Sequence, residues 1–214
     1  MGQKANSAGI RLGIHENYNS FWFNSKNRYP LNIKEDEKLR NCIINFFKKN
    51  YNSTNIIESI KIKKKINLIN IKIRIFTNLR VKKVKGFNIK LKLYETIYNF
   101  IKPKNIKFYI TLVRLKNPYA NSNFITRYIE LQLKNKISFN KIINTIFELI
   151  KKKTTIKGIQ IQLKGRIFRR ERAYITWDRE GLIPIQTLRT NINYYSKSIK
   201  TRCGMIGIKV WILA

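Results

Sequence analysis

A chain of 214 residues that carries 45 Lys and Arg against 11 Asp and Glu has a formal charge of +34. That imbalance argues against an ordinary soluble enzyme and for a polyanionic partner, because each cation set on a phosphate releases condensed counterions. Apolar residues at 43% and aromatics at 12% exclude a disordered tail, and the length allows one large domain or two small ones. Isoleucine, asparagine and lysine are abundant, as drift of a genome towards A and T would produce. Drift accounts for neither the scarcity of acids nor the 14 arginines.

Residues 1–30 carry Asn, Gly and aromatics without sustained periodicity, which predicts an extended arm. Lys4, Arg11, Lys26 and Arg28 would lie along phosphates. Trp22 and Phe23 either anchor that arm on RNA or pack against the domain that follows. A helix is expected from near Asn32, where Glu35, Asp36 and Glu37 suit its positive end, with Leu39, Ile43, Phe46 and Phe47 as its apolar stripe. Ile57 to Lys65 and Ile66 to Phe76 alternate as strands, with Ile60 and Ile62 in the first and Ile69, Ile71, Ile73 and Ile75 in the second, and with Lys61, Lys63, Lys72 and Arg74 on the opposite parity within each strand. A helical segment over Ile89 to Ile101, ended by Pro103, precedes a strand from Ile106 to Val113.

The turn Leu115-Lys116-Asn117-Pro118-Tyr119-Ala120 sets the expected boundary between a domain over 31–116 and one over 117–214. Two helices follow, Asn123 to Lys134 with Phe124, Tyr128 and Leu131 at helical spacing, and Ser138 to Lys152 with Ile142, Ile143, Ile146, Phe147 and Ile150. Gly158 to Lys164 then alternates cleanly, Arg172 to Trp177 sends Ala173, Ile175 and Trp177 one way, and Gly207 to Leu213 puts Ile208, Val210 and Ile212 on one face. These strands predict an antiparallel sheet with one dry face. The other face would carry Gln160, Gln162, Lys164 and Lys209, beside an arginine-rich hairpin from Arg166 to Arg172. The run Gly204-Met205-Ile206-Gly207 is expected to be a turn before the last strand.

Chemistry has little to work with. His15 stands in the arm beside Glu16 with no second ligand at metal spacing. Cys42 and Cys203 are too far apart in sequence for a local metal knuckle and are expected to be unpaired thiols. No phosphate-cradling or dinucleotide fingerprint occurs, so neither metal nor cofactor is expected. Glu171, Asp178 and Glu180 are the nearest approach to a carboxylate cluster. They keep one alternative open: a stand-alone nucleic-acid enzyme, a nuclease or lyase, using Glu171, Asp178 or Lys209. No apolar run approaches the ~20 residues of a spanning helix.

Gly165-Arg166-Ile167, Trp177 with Arg179-Glu180-Gly181, Pro184, Thr187-Leu188-Arg189 and Gly207-Ile208-Lys209-Val210-Trp211-Ile212 occur in this order. So do Met1-Gly2-Gln3-Lys4, Gly9-Ile10-Arg11-Leu12-Gly13-Ile14 and Trp22-Phe23 near the other end. Together they resemble the family of small-subunit ribosomal protein three, the KH-domain protein found where mRNA enters the subunit. Asn117-Pro118-Tyr119, Gln132-Leu133-Lys134-Asn135 and Lys157 to Gln162 look most like the plastid branch. The resemblance therefore implies a plastid protein, with a mitochondrial one as the alternative. The base bias and the lack of a visible import signal suggest synthesis inside an organelle, free-living bacterial origin being the alternative.

The resemblance also implies an α+β fold. A KH domain of the prokaryotic type would come first, then a domain of two helices and an antiparallel sheet. The KH loop would fall at Lys82-Lys83-Val84-Lys85-Gly86, where Lys83 replaces the first glycine of Gly-x-x-Gly and only Gly86 remains; charge would then stand in for close backbone approach. Binding of rRNA is implied for Lys4, Arg11, Arg166, Arg169, Arg170, Arg172, Arg179, Arg189 and Lys209. Lys134, Lys136 and Lys141 match positions that present positive charge to incoming mRNA. Small-subunit rRNA, mRNA and neighbouring ribosomal proteins are the implied partners, without membrane attachment or self-association. The chain departs from the family pattern at Phe168, Arg169, Tyr174, Thr176 and Leu182.

Overall fold

The computed structural model describes residues 5–51, 57–65, 67–76, 86–101, 107–153, 156–167, 171–202 and 204–213. The elements run α1 (Ser7–Arg11), β1 (Ser20–Phe21), α2 (Tyr29–Tyr51), β2 (Ile57–Lys65), β3 (Leu68–Phe76), α3 (Gly86–Ile101) and β4 (Lys107–Leu115). After a 3-10 turn at Pro118–Ala120 come α4 (Ser122–Lys134), α5 (Phe139–Lys153), β5 (Gly158–Gly165), β6 (Tyr174–Gly181), β7 (Ile192–Thr201) and β8 (Gly204–Leu213). The chain is thus mixed α and β, with two four-stranded sheets. No helix among the described residues is long and apolar enough to cross a membrane.

Two compact units result. One covers Tyr18–Lys116, and the other joins Met1–Asn17 to Asn117–Ala214. In the first, the sheet order is β1-β2-β3-β4. β2 and β3 are antiparallel, whereas β4 runs parallel to β3, an arrangement that needs the α3 crossover between them. Ile60, Ile62, Ile69, Ile71 and Ile73 point to one side, where Leu39, Ile43 and Phe47 of α2 and Leu93 and Ile97 of α3 close the core. β1 is added beside β2 by Arg40, which donates to the Ile60 and Asn19 carbonyls and to Ser20 Oγ. Burial holds the Arg40 guanidinium below its ordinary pKa, with Asp36 acting the other way.

In the second unit the order is β6-β5-β8-β7, antiparallel throughout. One face is dry. Ile159, Ile161, Leu163, Ile208, Val210 and Ile212 meet Ile125 and Ile129 of α4 and Ile142, Ile143, Ile146 and Ile150 of α5. β5 and β6 converge at the Gly158–Gly181 pair. Gly181 has φ +76°, and a Cβ there would overlap the Lys157 carbonyl, so both backbone freedom and missing bulk are needed.

The structure departs from the sequence expectations at five places, the first being α4, whose core face is Ile125 and Ile129 while Leu131 of the expected stripe is exposed. Residues 5–30 are not one extended arm: α1 belongs to the second unit and β1 to the first. α2 begins at Tyr29 rather than Asn32. Gly204-Met205-Ile206-Gly207 is the first part of β8 rather than a turn, since Gly204 pairs with Thr201 and Gly207 with Ser198. β7 had no counterpart among the expected strands, because its buried residues lie on both faces: Ile192 on one, Ile199 on the other.

Candidate nucleic-acid interface

The outer face of the second sheet, opposite α4 and α5, has two parts. At one end Trp211, Leu213, Ile183 and Ile192 form a small buried cluster, with Ile185 and Tyr194 against it. α1 fastens that end. Asn6 caps the helix through Oδ1, which accepts from the Ala8 and Gly9 amides. Ser7 Oγ accepts from Trp211 Nε1 at 3.0 Å.

Arg11 is the keystone of this arrangement, and the expectation that it lies on phosphate is overturned. Its side chain is 0% exposed. Nε donates to the Thr190 carbonyl (3.1 Å), Nη1 to Ser7 (2.9 Å), and Nη2 to Ile185 (2.9 Å) and Thr187 (3.0 Å). A buried guanidinium needs its donors matched, and this one gives three bonds to the loop 182–190 and one to Ser7 of its own helix. Burial pushes the neighbouring Glu16 carboxyl up, with the Arg11 charge acting in the opposite sense.

Beyond the cap, the sheet face is open and cationic. Directly paired residues share a face, so the register sets Trp177, Gln162, Lys209 and Ser196 in one row and Ile175, Lys164, Gly207 and Ser198 in the next. Lys164, Trp177, Arg179 and Lys209 are exposed. Arg166, Arg172 and Arg189 are exposed as well. Lys4, Arg169 and Arg170 lie outside the described residues, as do Lys82, Lys83 and Lys85 of the expected KH loop; Gly86 is the first residue of α3.

The three helix lysines are also on the surface. Lys134 pairs with Glu130 at 2.9 Å, and Glu130 is shared with Lys197 of β7. Burial raises the Glu130 pKa, but hydrogen bonds from Lys197 and Lys134 outweigh it and hold the carboxyl below its ordinary value. Lys136 stands where α4 ends. Its amide donates to Leu133 O and the Ile137 amide to Gln132 O, the paired bonds of a Schellman motif. Its φ is +62°, the left-handed region that glycine usually fills here.

The first unit repeats the plan. Opposite its helices the sheet presents Lys63 and Lys72, exposed, with Lys61 half-buried between neighbours. Lys63 also lies over the Phe21 ring at 5.3 Å. Of the two readings of Trp22 and Phe23, packing against the following domain holds for Trp22. Trp22 packs: its Nε1 donates to Asp36 Oδ2 at 2.8 Å, its ring meets Tyr29, and Lys64 lies over it. Phe23 is 98% exposed.

The carboxylates do not gather into a catalytic group. Asp178 and Glu180 alternate with Arg179 on β6 and fall on the helix-facing side, whereas Lys209 is on the outer face. Glu180 pairs with Lys151, and Asp178 Oδ1 accepts from the Arg179 amide. Among the described residues no cluster of three or more His, Cys, Asp or Glu could hold a metal ion. Cys42 is a free thiol whose pKa burial raises.

Two α/β units, each turning helices to one face of its sheet and cations to the other, define a basic nucleic-acid-binding protein. Comparison with known proteins makes this specific. The family model for "Ribosomal protein S3, C-terminal domain" matches residues 129–212. The chain is 40% identical to the small ribosomal subunit protein uS3c of Drimys granadensis, over 99% of this chain and 98% of that protein. It is 39% identical to uS3c of Dioscorea elephantipes (99% of each chain) and 37% identical to uS3c of Pinus thunbergii (100% and 99%). The chain belongs to this ribosomal protein family and is of the plastid type that the final letter of the name marks. That membership also decides against the nuclease or lyase alternative.

Proposed function

We propose that this chain is a structural constituent of the plastid small ribosomal subunit that fixes rRNA backbone with the open faces of its sheets. The observation that carries this is the division of labour within each sheet. One face is spent on the core, and the other holds lysine and arginine in a chain of net charge +34. Interactions of that kind are with phosphate and shape, which position without reading sequence. The order α2, β2, β3, α3, β4 supports a KH domain in the first unit.

Lys134, Lys136 and Lys141 border the path of incoming mRNA in the same reading. The left-handed backbone of Lys136 supports it: glycine would be the less costly residue there, yet the chain keeps a charge. Neighbouring small-subunit proteins complete the set of partners.

Binding to an rRNA fragment across a salt series tests the proposal. The combined variant Arg172→Ala, Arg179→Ala and Lys209→Ala should lower the slope of log K against log salt, by roughly 0.7–0.9 for each phosphate no longer neutralised. An unchanged slope would show that this face does not touch phosphate. Alanine at Lys134, Lys136 and Lys141 should leave subunit incorporation intact and impair translation of structured messages. Loss of incorporation would make these three assembly residues instead.

A further inference from the structure

We propose that the open face of the second sheet holds a site for one unpaired RNA base, stacked on Trp177 and met at its edge by the amides of Gln160 and Gln162. The inference rests on the rRNA-binding function proposed above and names the ligand of that face.

Trp177 lies on β6, an edge strand, and is 62% exposed although its neighbours across the sheet are polar or charged. An indole so exposed contributes little to the core. It does offer a stacking surface, since every base has a π-face. Beside it a groove of about 530 Å³ is lined by Gln160, Gln162, Ile175, Trp177, Arg179 and Ile185, a volume in the range of small-ligand sites.

The register places each group. Gln162 is opposite both Trp177 and Lys209, and Gln160 is opposite Arg179. Among the described residues, no hydrogen bond or ion pair within the protein engages the side chains of Gln160, Gln162, Arg179 or Lys209. The amides are therefore available as paired donors and acceptors, and the two cations flank them as phosphate partners. A glutamine amide suits adenine, whose edge offers a donor beside an acceptor.

A base within an A-form duplex cannot reach such a floor, so the nucleotide is single-stranded or splayed out. An apolar protein surface fits less well, because seating it would strip water from Lys164, Arg179 and Lys209 without supplying opposite charge.

Fluorescence anisotropy of labelled hexa-adenylate and hexa-uridylate on the full chain tests this. Trp177→Ala should weaken binding about 5- to 100-fold, the scale of one base stack, and leave both the salt slope and the melting midpoint unchanged. Trp177→Phe should keep most of the affinity. Gln162→Ala should reduce the preference for adenylate over uridylate. Equal binding by Trp177→Ala and wild type would overturn the proposal. So would a phenylalanine variant as weak as the alanine one, or an alanine variant that binds RNA normally yet no longer crosslinks to a neighbouring ribosomal protein. Failure of the unmodified chain to enter small subunits would instead contradict the ribosomal function. Those experiments are separate, so the two failures cannot be confused.

Discussion

Replacing Arg11 by alanine removes a side chain that ties α1 to the loop 182–190 through three carbonyls at once. Hydrogen bonds to a charged group contribute about 1.5–3 kcal/mol each, but losses around one group do not add in full. Water can reach part of the site once the guanidinium is gone, so about 3–5 kcal/mol is the expected cost. That is a large share of the ~5–15 kcal/mol that holds a domain folded. Urea denaturation reads it well: Trp211, buried and bonded to Ser7, reports locally when Trp22 and Trp177 are replaced by phenylalanine. With a slope of about 1.5 kcal/mol per M, the midpoint should fall by about 2–3 M. Arg11→Lys should rescue little, because an ammonium cannot reach the same acceptors as a planar fork. A normal midpoint together with a reduced salt dependence of RNA binding would refute this account and return Arg11 to the phosphate backbone.

Lys136→Gly should stabilise the protein by about 1 kcal/mol, because a left-handed backbone costs roughly 1–2 kcal/mol with a Cβ present; a lower midpoint in the same urea titration would contradict the strain. Glu130→Gln should flatten the acid limb of stability. The Glu130 pKa is lowered in the folded state, so its contribution is full above the unfolded carboxylate value near pH ~4.3 and is lost as pH falls through the folded value. Melting midpoints between pH 3 and pH 6, to be compared at roughly half-unit steps with the single-residue linkage expectation, check this. An acid limb identical to wild type would mean that the bridge to Lys134 and Lys197 adds nothing.

Much of the fold was legible because isoleucine marks the buried parity so cleanly. β2, β3, β5, β8 and the stripe of α5 follow directly from periods of two and 3.6, whereas the spacing Phe124, Tyr128 and Leu131 misplaces the core face of α4, which is Ile125 and Ile129. α1 was not legible: five residues carry no period, and a charged Arg11 reads as surface until its distant acceptors Ile185, Thr187 and Thr190 are known. An Asn6 cap followed by small residues was the one local signal. β7 escaped for a related reason, since Ile192 serves the outer cluster and Ile199 the inner core while Lys197 sits inward to meet Glu130. On β6 alternation was visible but its sense was not. The half-buried side is Tyr174 and Thr176, and the large apolar residues Ile175 and Trp177 face outward. Among site residues, charge and motif found the cations but could not tell the buried Arg11 from the exposed Arg179 and Lys209. Gln160 and Gln162 carry no signal beyond their outward parity until the groove beside Trp177 is seen.

The central claim is that this chain works as part of the small ribosomal subunit, held there by binding to phosphate. Sedimentation of an organellar lysate through gradients at low and moderate salt, with the chain followed by immunoblot, tests it most directly. The chain should co-migrate with the small subunit, survive a moderate salt wash there, and be held less firmly with alanine at Arg172, Arg179 and Lys209. Recovery in the free fractions at both salt concentrations, with intact small subunits elsewhere in the gradient, would contradict it.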